Sequence, residues 1–450
     1  MLESRIFKAN DIRGIVGAEW DTAGAWALGV AYATLVAEPK IVVSRDMRLT
    51  GPEIQRAFIE GVTRMGTSVV DAGLASTDGL WFASGLLDLP GVQITSSHNP
   101  STYNGMKFCL RQAQPVSPQF LRDLADLAQA IDSGHDTPVL CAQPGTVESR
   151  DTLPQYVEYL LGQVDLTGMR HLTVVVDAGN GMGGYTAPAV LGHLDVDLVG
   201  LYMDLDGSFP NHQPNPLEPK NLVDAQEAVR ASGADVGLVF DGDADRVFLI
   251  DETGQVVSPS AITAMIAVHE LAREPGATII VNTITSSAVK QIVEEHGGHV
   301  VVSRVGHTYM KALMAAHHAI FGGEHSAHYY FRGFFGADTG MLAALHVLSA
   351  LGKSDRPLSE LVASYTRYAA SGEINSEVAD QQAAMLIVAD ALGTGQSLDW
   401  TDGLKIIADD WWVSLRPSNT EPLLRLNVEA RDPGVMARLR DTALDLIKEK

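Results

Sequence analysis

Short β-branched runs, separated by longer stretches of helical pattern, limit the architectures open to this chain. Lys40-Ile-Val-Val-Ser-Arg-Asp46, Leu172-Thr-Val-Val-Val-Asp-Ala178 and Thr278-Ile-Ile-Val-Asn-Thr283 each stop at small polar residues and lead into a probable helix pattern. That alternation is the rhythm of βα units with buried, parallel strands. A second set repeats a different plan: Gly91–Ile94 runs into Thr95-Ser-Ser-His-Asn-Pro100, Val236–Phe240 into Asp241-Gly-Asp-Ala-Asp-Arg246, and Ala319-Ile-Phe321 into Gly322-Gly-Glu-His-Ser-Ala-His328. The expected fold is α/β: three related α/β/α domains, each sending one loop from a strand's C-terminal end to a shared central cleft, the edge at which open α/β sheets bind ligands.

The last stretch reads differently. Residues 404–415 alternate in part, 423–428 follow the turn Arg416-Pro-Ser-Asn-Thr-Glu-Pro422, and 435–447 form a closing helix pattern, which predicts a smaller C-terminal α+β domain. Turn residues crowd 132–145 and set a boundary near 150. The expected division is 1–150 with the serine loop, 151–252 with the acidic loop, 253–368 with the Glu-His loop and 369–450 with the Arg416 loop.

Composition excludes whole classes of partner. The 450-residue chain has 55 acidic and 32 basic side chains, a formal net charge of −23. It would repel nucleic acid and anionic membranes, so neither is an expected partner; an anionic small substrate requires Arg and Lys to converge locally. Cys109 and Cys141 are the only cysteines, which gives no disulfide framework and fits a reducing, cytoplasmic compartment. No uncharged apolar stretch approaches about 18 residues, and Glu3, Arg5, Lys8 and Asp11 break up the N-terminus, so neither a membrane span nor a signal peptide is expected. A monomer or homodimer is expected.

Asp241, Asp243 and Asp245 alternate in a tight loop, where three carboxylates can converge on one hard cation that removes their mutual repulsion. The spacing also opens an EF-hand, with Glu252 at the twelfth position, but Arg246 stands where that loop needs glycine and the flanks look like strands. A solvated acidic turn is the plainer alternative. The 95–100 loop holds two serines at a strand end, where a hydroxyl becomes a nucleophile if a base or metal activates it; it is otherwise a turn. Around Arg416 and Arg425, hydroxyls, turn amides and guanidinium forks suit phosphate oxygens, or a capped surface turn. Glu324 and Ser326 can accept hydrogen bonds from sugar hydroxyls, and His328 can shuttle a proton near pH 7. Finally, Gly179-Asn-Gly-Met-Gly-Gly184 satisfies a dinucleotide fingerprint, with Asp204 and Asp206 downstream, or is a strand-to-helix turn that needs glycine for packing.

Four of these motifs, in this order and spacing, resemble the α-D-phosphohexomutases, in particular their phosphomannomutase/phosphoglucomutase branch. The resemblance runs from Asp11-Ile-Arg-Gly14 to the last domain. It implies a phosphoserine at Ser97, magnesium held by Asp241, Asp243 and Asp245 with the Ser97 phosphate as a fourth ligand, and Arg246 and Lys107 beside that phosphate. Glu324 and Ser326 would hold sugar hydroxyls. Arg416, Ser418, Asn419 and Thr420 would grip the phosphate that is not transferred. Arg13, His98, Arg304, His307 and His328 would lie near the cleft, with the last two histidines resembling proton shuttles. The implied reaction interconverts hexose 1-phosphate and hexose 6-phosphate through a hexose 1,6-bisphosphate. Asn419 and His325 stand where phosphoglucosamine mutases usually carry Gly and Gln, which favours mannose and glucose phosphates. Asn10 replaces an aromatic residue common in the family, so that ring's contact is expected to be missing. A nicotinamide-dependent oxidoreductase using Gly179–Gly184 and an idle sugar-phosphate-binding protein are the alternatives from other classes.

Overall fold

In the computed structural model, which describes residues 1–417 and 423–448, three sheets share one plan. In the first, Gly91–Ile94, Lys40–Arg45, Ser68–Leu74 and Val147–Ser149 lie side by side and parallel. The second holds Val236–Phe240, Leu172–Asp177 and Val196–Leu201 in the same relation, and the third holds Phe321–Gly323, Thr278–Asn282 and His299–Ser303. Helices Gly51–Arg64, Gly183–Leu191 and Ser287–Glu295 follow the middle strand of each set.

Each sheet then turns antiparallel, a change that the βα rhythm of the sequence does not display. Gly91–Ile94 pairs with Tyr103–Cys109, Val236–Phe240 with Val247–Asp251, and Phe321–Gly323 with Tyr329–Phe331. A parallel neighbour needs a crossover of roughly a dozen residues or more, and these connections are too short for one. Burial hides the change of direction in the sequence: every residue of Val247–Asp251 is buried, so no alternation marks it. The three polar loops are therefore equivalent by topology. Each is the hairpin connection at which its sheet changes from parallel to antiparallel.

The third of these strands begins at Phe321, two residues later than expected, where its ladder to Ile279 starts. In the fourth sheet, residues 404–415 resolve into two antiparallel strands, Leu404–Ile407 and Trp411–Pro417, and the latter pairs with Leu423–Ala430. Helices Gln381–Leu392 and Pro433–Lys448 pack on this sheet through Ala384, Met385, Val388, Ala443 and Ile447. The fourth unit has its own apolar core; the first has one as well, and also contributes Leu80, Trp81 and Phe82 to the large core that the second and third share. No helix among the described residues is long and apolar enough to cross a membrane.

One carboxylate joins the first three units. Asp78, in helix Thr77–Leu87, accepts hydrogen bonds from Tyr156 of helix Leu153–Leu161 and from Thr339, each at 2.7 Å, and also from the Ser76 hydroxyl. Thr339 is the N-cap of helix Gly340–Gly352. Asp78 is 1% exposed. Burial pushes its carboxyl up to about 7 despite three hydroxyl donors, and Asp245 adds to the rise. The folded protein thus keeps this proton to a higher pH than the unfolded chain. The resulting stability is fully present below the unfolded pKa, near 4, and is lost as pH rises through about 7. The most that one such group contributes is about 1.4 kcal/mol per pH unit. Asp78→Asn preserves the shape and can still bond hydroxyls, so calorimetry on both proteins should show wild type losing its advantage between about pH 4 and pH 7. A melting-temperature difference independent of pH would refute the assignment.

Candidate active site

The serine and acidic loops meet because their backbones touch. A Cβ on Gly242 would lie 2.4 Å from the Ser97 carbonyl oxygen, so only glycine permits this approach. Ser97 itself has φ of +51°, a left-handed conformation that points its side chain across the junction. Its hydroxyl donates to Asp241 Oδ2 at 2.9 Å, and its Oγ lies 3.1 Å from His98 Nδ1. The neighbouring Ser96 hydroxyl turns to Asn99 instead, at 3.4 Å.

A buried arginine that the sequence did not single out fixes the serine loop. Arg48 follows strand Lys40–Arg45 and is 1% exposed. Its Nη2 donates to the carbonyls of Ser97 and Asn99, and its Nη1 to those of Pro100 and Tyr103, all at 2.8 Å. Asp46 braces it, accepting from Arg48 Nε at 3.3 Å while taking the Thr95 hydroxyl at 2.7 Å. One planar fork thereby holds four carbonyls in place.

Asp241, Asp243 and Asp245 are all buried and bring carboxylate oxygens within 4.8 Å of one another. Two cations from different units offset their repulsion. Lys107 Nζ, from strand Tyr103–Cys109, lies 2.7 Å from Asp243 Oδ2 and 2.6 Å from Asp245 Oδ2. Arg246 donates from Nη2 and Nε to Asp241 Oδ2 at 2.8 and 3.0 Å. Thr77 adds a hydroxyl bond to Asp243 at 2.5 Å. Burial would disfavour the Lys107 ammonium, but Asp243 and Asp245 outweigh it and raise its pKa. Burial likewise works to raise Asp243, yet Lys107 holds that carboxyl well below the usual carboxylate range. Asp241 behaves differently: burial lifts it to about 7, against the pull of Arg246 and with Asp245 and Asp243 adding to the rise. Asp243 Oδ1 and Asp245 Oδ1 are buried and have no hydrogen-bond partner. A set of hard carboxylate oxygens with two unmet acceptors fits a divalent cation.

The loop does not behave as an EF-hand. Strands flank it on both sides, and Glu252 turns away to accept from the Ser359 amide at 3.1 Å. The Gly179–Gly184 turn likewise serves packing. A Cβ on Gly181 would lie 2.6 Å from the Gly242 carbonyl and one on Gly184 2.0 Å from that of Met203, while the Met182 amide donates to Gly242 O at 2.9 Å. Its glycines let the acidic loop approach.

The third loop reaches the same place. Arg246 and His328 form a backbone bridge, and His328 Nε2 lies 3.9 Å from Asp245 Oδ1. Glu324 is held by Tyr330 at 2.7 Å and by Asn282 and the Gly306 amide at 3.2 Å; Ser326 Oγ lies 3.0 Å from His328 Nδ1. His98, His307 and His328 all hold protons less readily than a free imidazole. Burial is the main cause in each, pushing His98 well down and His307 to about 3, and lowering His328 despite Asp245 and Glu324. His98 Nδ1 faces Arg246 Nη2 at 2.6 Å, which assigns it as an acceptor. Arg13 is tied to Asp11 at 2.7 Å and Asn99 at 2.9 Å. Asn10 forms a contact of its own, accepting from the Thr308 hydroxyl at 2.6 Å.

The fourth unit adds two arginines. Arg416 and Arg425 stand opposite each other across their strand pair, and both reach Glu373, at 3.3 and 3.2 Å. Glu324 and Asp402 act electrostatically on Arg416. Arg304 instead donates to the Thr401 carbonyl at 2.6 Å, joining the third unit to the fourth. Ser418, Asn419 and Thr420 lie outside the described residues.

Two substitutions test this frame. Lys in place of Arg48 cannot serve four carbonyls and Asp46, so Arg48→Lys should destabilise by about 2–4 kcal/mol; an unchanged melting temperature would remove Arg48 from its role. Gly242→Ala should separate the serine and acidic loops and weaken binding of a divalent cation by at least about tenfold, read by calorimetric titration; wild-type affinity would contradict the contact.

Comparison with known proteins agrees with this geometry across the chain. The family models for phosphoglucomutase/phosphomannomutase match as α/β/α domain I at residues 4–135, domain II at 154–254, domain III at 258–368 and the C-terminal domain at 373–446. A phosphomannomutase of Salmonella typhimurium is 38% identical, with 100% of both chains covered. A phosphomannomutase/phosphoglucomutase of Pseudomonas putida is 34% identical over 98% of this chain and 95% of that one. The X-ray structure of a phosphoglucomutase/phosphomannomutase family protein from Burkholderia thailandensis superimposes with a TM-score of 0.90 at 33% identity, covering 100% of this chain and 98% of the other. Four matched domains, full-length relatives and one shared architecture establish that this chain belongs to the phosphoglucomutase/phosphomannomutase family.

Proposed function

We propose that this protein is a cytoplasmic phosphohexomutase that interconverts the 1- and 6-phosphates of mannose, glucose or both through phosphorylated Ser97 and a hexose 1,6-bisphosphate. The observation that carries the reading is the Ser97 hydroxyl at 2.9 Å from Asp241, on the same carboxylate oxygen that Arg246 grips at 2.8 Å. The nucleophile, the acidic triad and a fixed guanidinium thus converge on one point. Asp241, Asp243 and Asp245 would hold Mg²⁺, which when bound neutralises phosphoryl charge.

In the forward step the free hydroxyl of the hexose monophosphate attacks the phosphorus of phospho-Ser97. The bond from phosphorus to the Ser97 oxygen breaks, and that oxygen takes up the proton the sugar hydroxyl gives up. Arg246, with the charged Lys107 beside it, stabilises the negative charge spread over the equatorial oxygens. Glu324 and Ser326 orient sugar hydroxyls. Arg416 and Arg425, with Ser418, Asn419 and Thr420 of their loop, hold the phosphate that is not in play, and Arg13 and Arg304 border the cleft. The bisphosphate then turns end for end, and Ser97 recovers a phosphoryl group from the other position. His98, His307 and His328 are the imidazoles proposed to carry protons between these oxygens.

Incubation with hexose 1,6-bisphosphate and Mg²⁺ should load one phosphoryl group on Ser97, mapped by intact mass and fragmentation. Ser97→Ala should take up none and should lower turnover by at least about 10⁴-fold. Retained turnover in that variant would overturn the assignment, whereas failure of wild type to take up phosphate would leave a sugar-phosphate-binding protein without catalysis.

A further inference from the structure

The phosphate-gripping arginines already share an internal carboxylate that neither the sequence reading nor the family assignment includes. Arg416 and Arg425 are directly opposite in the antiparallel pair, where like charges repel. Glu373 lies between them, with Oε2 3.3 Å from Arg416 Nη2 and Oε1 3.2 Å from Arg425 Nη1. Each contact is a single, long hydrogen bond rather than a two-point fork, and the Nε atoms of both arginines are buried without a partner. The guanidiniums are therefore held but far from saturated. All three groups are fixed to the fourth unit. Glu373 immediately precedes strand Ile374–Glu377, which pairs with the strand that carries Arg425, and Ser371 bonds the same strand from both its amide and its hydroxyl.

We infer that Glu373 is an attenuator of the anion site: it keeps the two arginines paired while opposing a phosphate bound between them, so that the phosphate is gripped briefly and let go. The requirement comes from the proposed reaction. A bisphosphate that must turn end for end has to leave this site once in every cycle, and two arginines without a counter-charge would hold a dianion too long. Removal of the Glu373 charge then tightens ground-state binding and slows release. This inference rests on Arg416 and Arg425 being the phosphate site.

Glu373→Gln keeps the length and one acceptor oxygen but removes the charge. In steady-state assays with hexose 1-phosphate as substrate and inorganic phosphate as competitor, KM and the inhibition constant should both fall about three- to tenfold, with kcat falling as well. Glu373→Asp, which keeps the charge but withdraws it, should shift both constants in the same direction by less. A rise in KM, or constants equal to wild type, would overturn the inference, because a carboxylate that only positions the arginines weakens binding when lost. Arg416→Ala distinguishes failure of the underlying reading: if inorganic phosphate inhibits that variant as it inhibits wild type, the anion site itself lies elsewhere.

Discussion

Everything at the centre of this protein depends on holding three buried carboxylates together. Asp241, Asp243 and Asp245 would repel one another strongly in a low-dielectric interior, and no cation from their own unit except Arg246 reaches them. The second positive charge, Lys107, comes from the first unit and contacts Asp243 and Asp245. The charges of one unit are thus tolerable only when the other is docked on it. The same docking sets Ser97 against Asp241. Assembly of the domains and assembly of the site are one event.

Topology explains why three domains can meet in this way. Each sheet changes from parallel to antiparallel at a short hairpin loop, and this loop, three times over, holds the residues of the proposed site: Ser97 in the first, the acidic triad in the second, Glu324 to His328 in the third. Rigid strands on both sides leave such a loop little freedom, which is what a preorganised site needs. The fixings behind the loops follow the same economy. Arg48 ties four carbonyls of the serine loop to Asp46, and Asp78 ties helices of three units to one carboxylate. The fourth unit is joined to the third by Arg304 to the Thr401 carbonyl, the Val305 amide to Asp402 at 3.0 Å, Lys405 to the Thr283 carbonyl and the Ser287 amide to Glu429 at 2.9 Å.

Much of this was legible in the chain. Ser97 and the triad stand out because each sits in a short loop dense in polar residues, and the βα rhythm of residues 40–46, 172–178 and 278–283 points to the parallel half of each sheet. The antiparallel half was hidden, since strands buried on both faces look alike whichever way they run. Arg48, Asp78 and Glu373 were hidden for another reason. Each is an ordinary charged residue until folding brings its partners near: carbonyls about 50 residues away for Arg48, Thr339 at a separation of 261 for Asp78, Arg425 at 52 for Glu373. The glycine-rich turn at 179–184 looked like a nucleotide cradle because close backbone packing and phosphate binding demand the same residue. The fall in the histidines' hold on protons comes from burial, which the sequence does not display.

The central claim is that Asp241, Asp243 and Asp245 form one divalent-cation site facing the Ser97 oxygen. A crystal structure of the protein soaked with Mn²⁺, which takes oxygen ligands of the same kind and scatters anomalously, tests it most directly. The account predicts an anomalous peak bounded by the three carboxylates, beside Ser97 Oγ, with Lys107 drawn back from Asp243 and Asp245. A peak elsewhere, or none at the triad with Lys107 still bridging the two carboxylates, would contradict it.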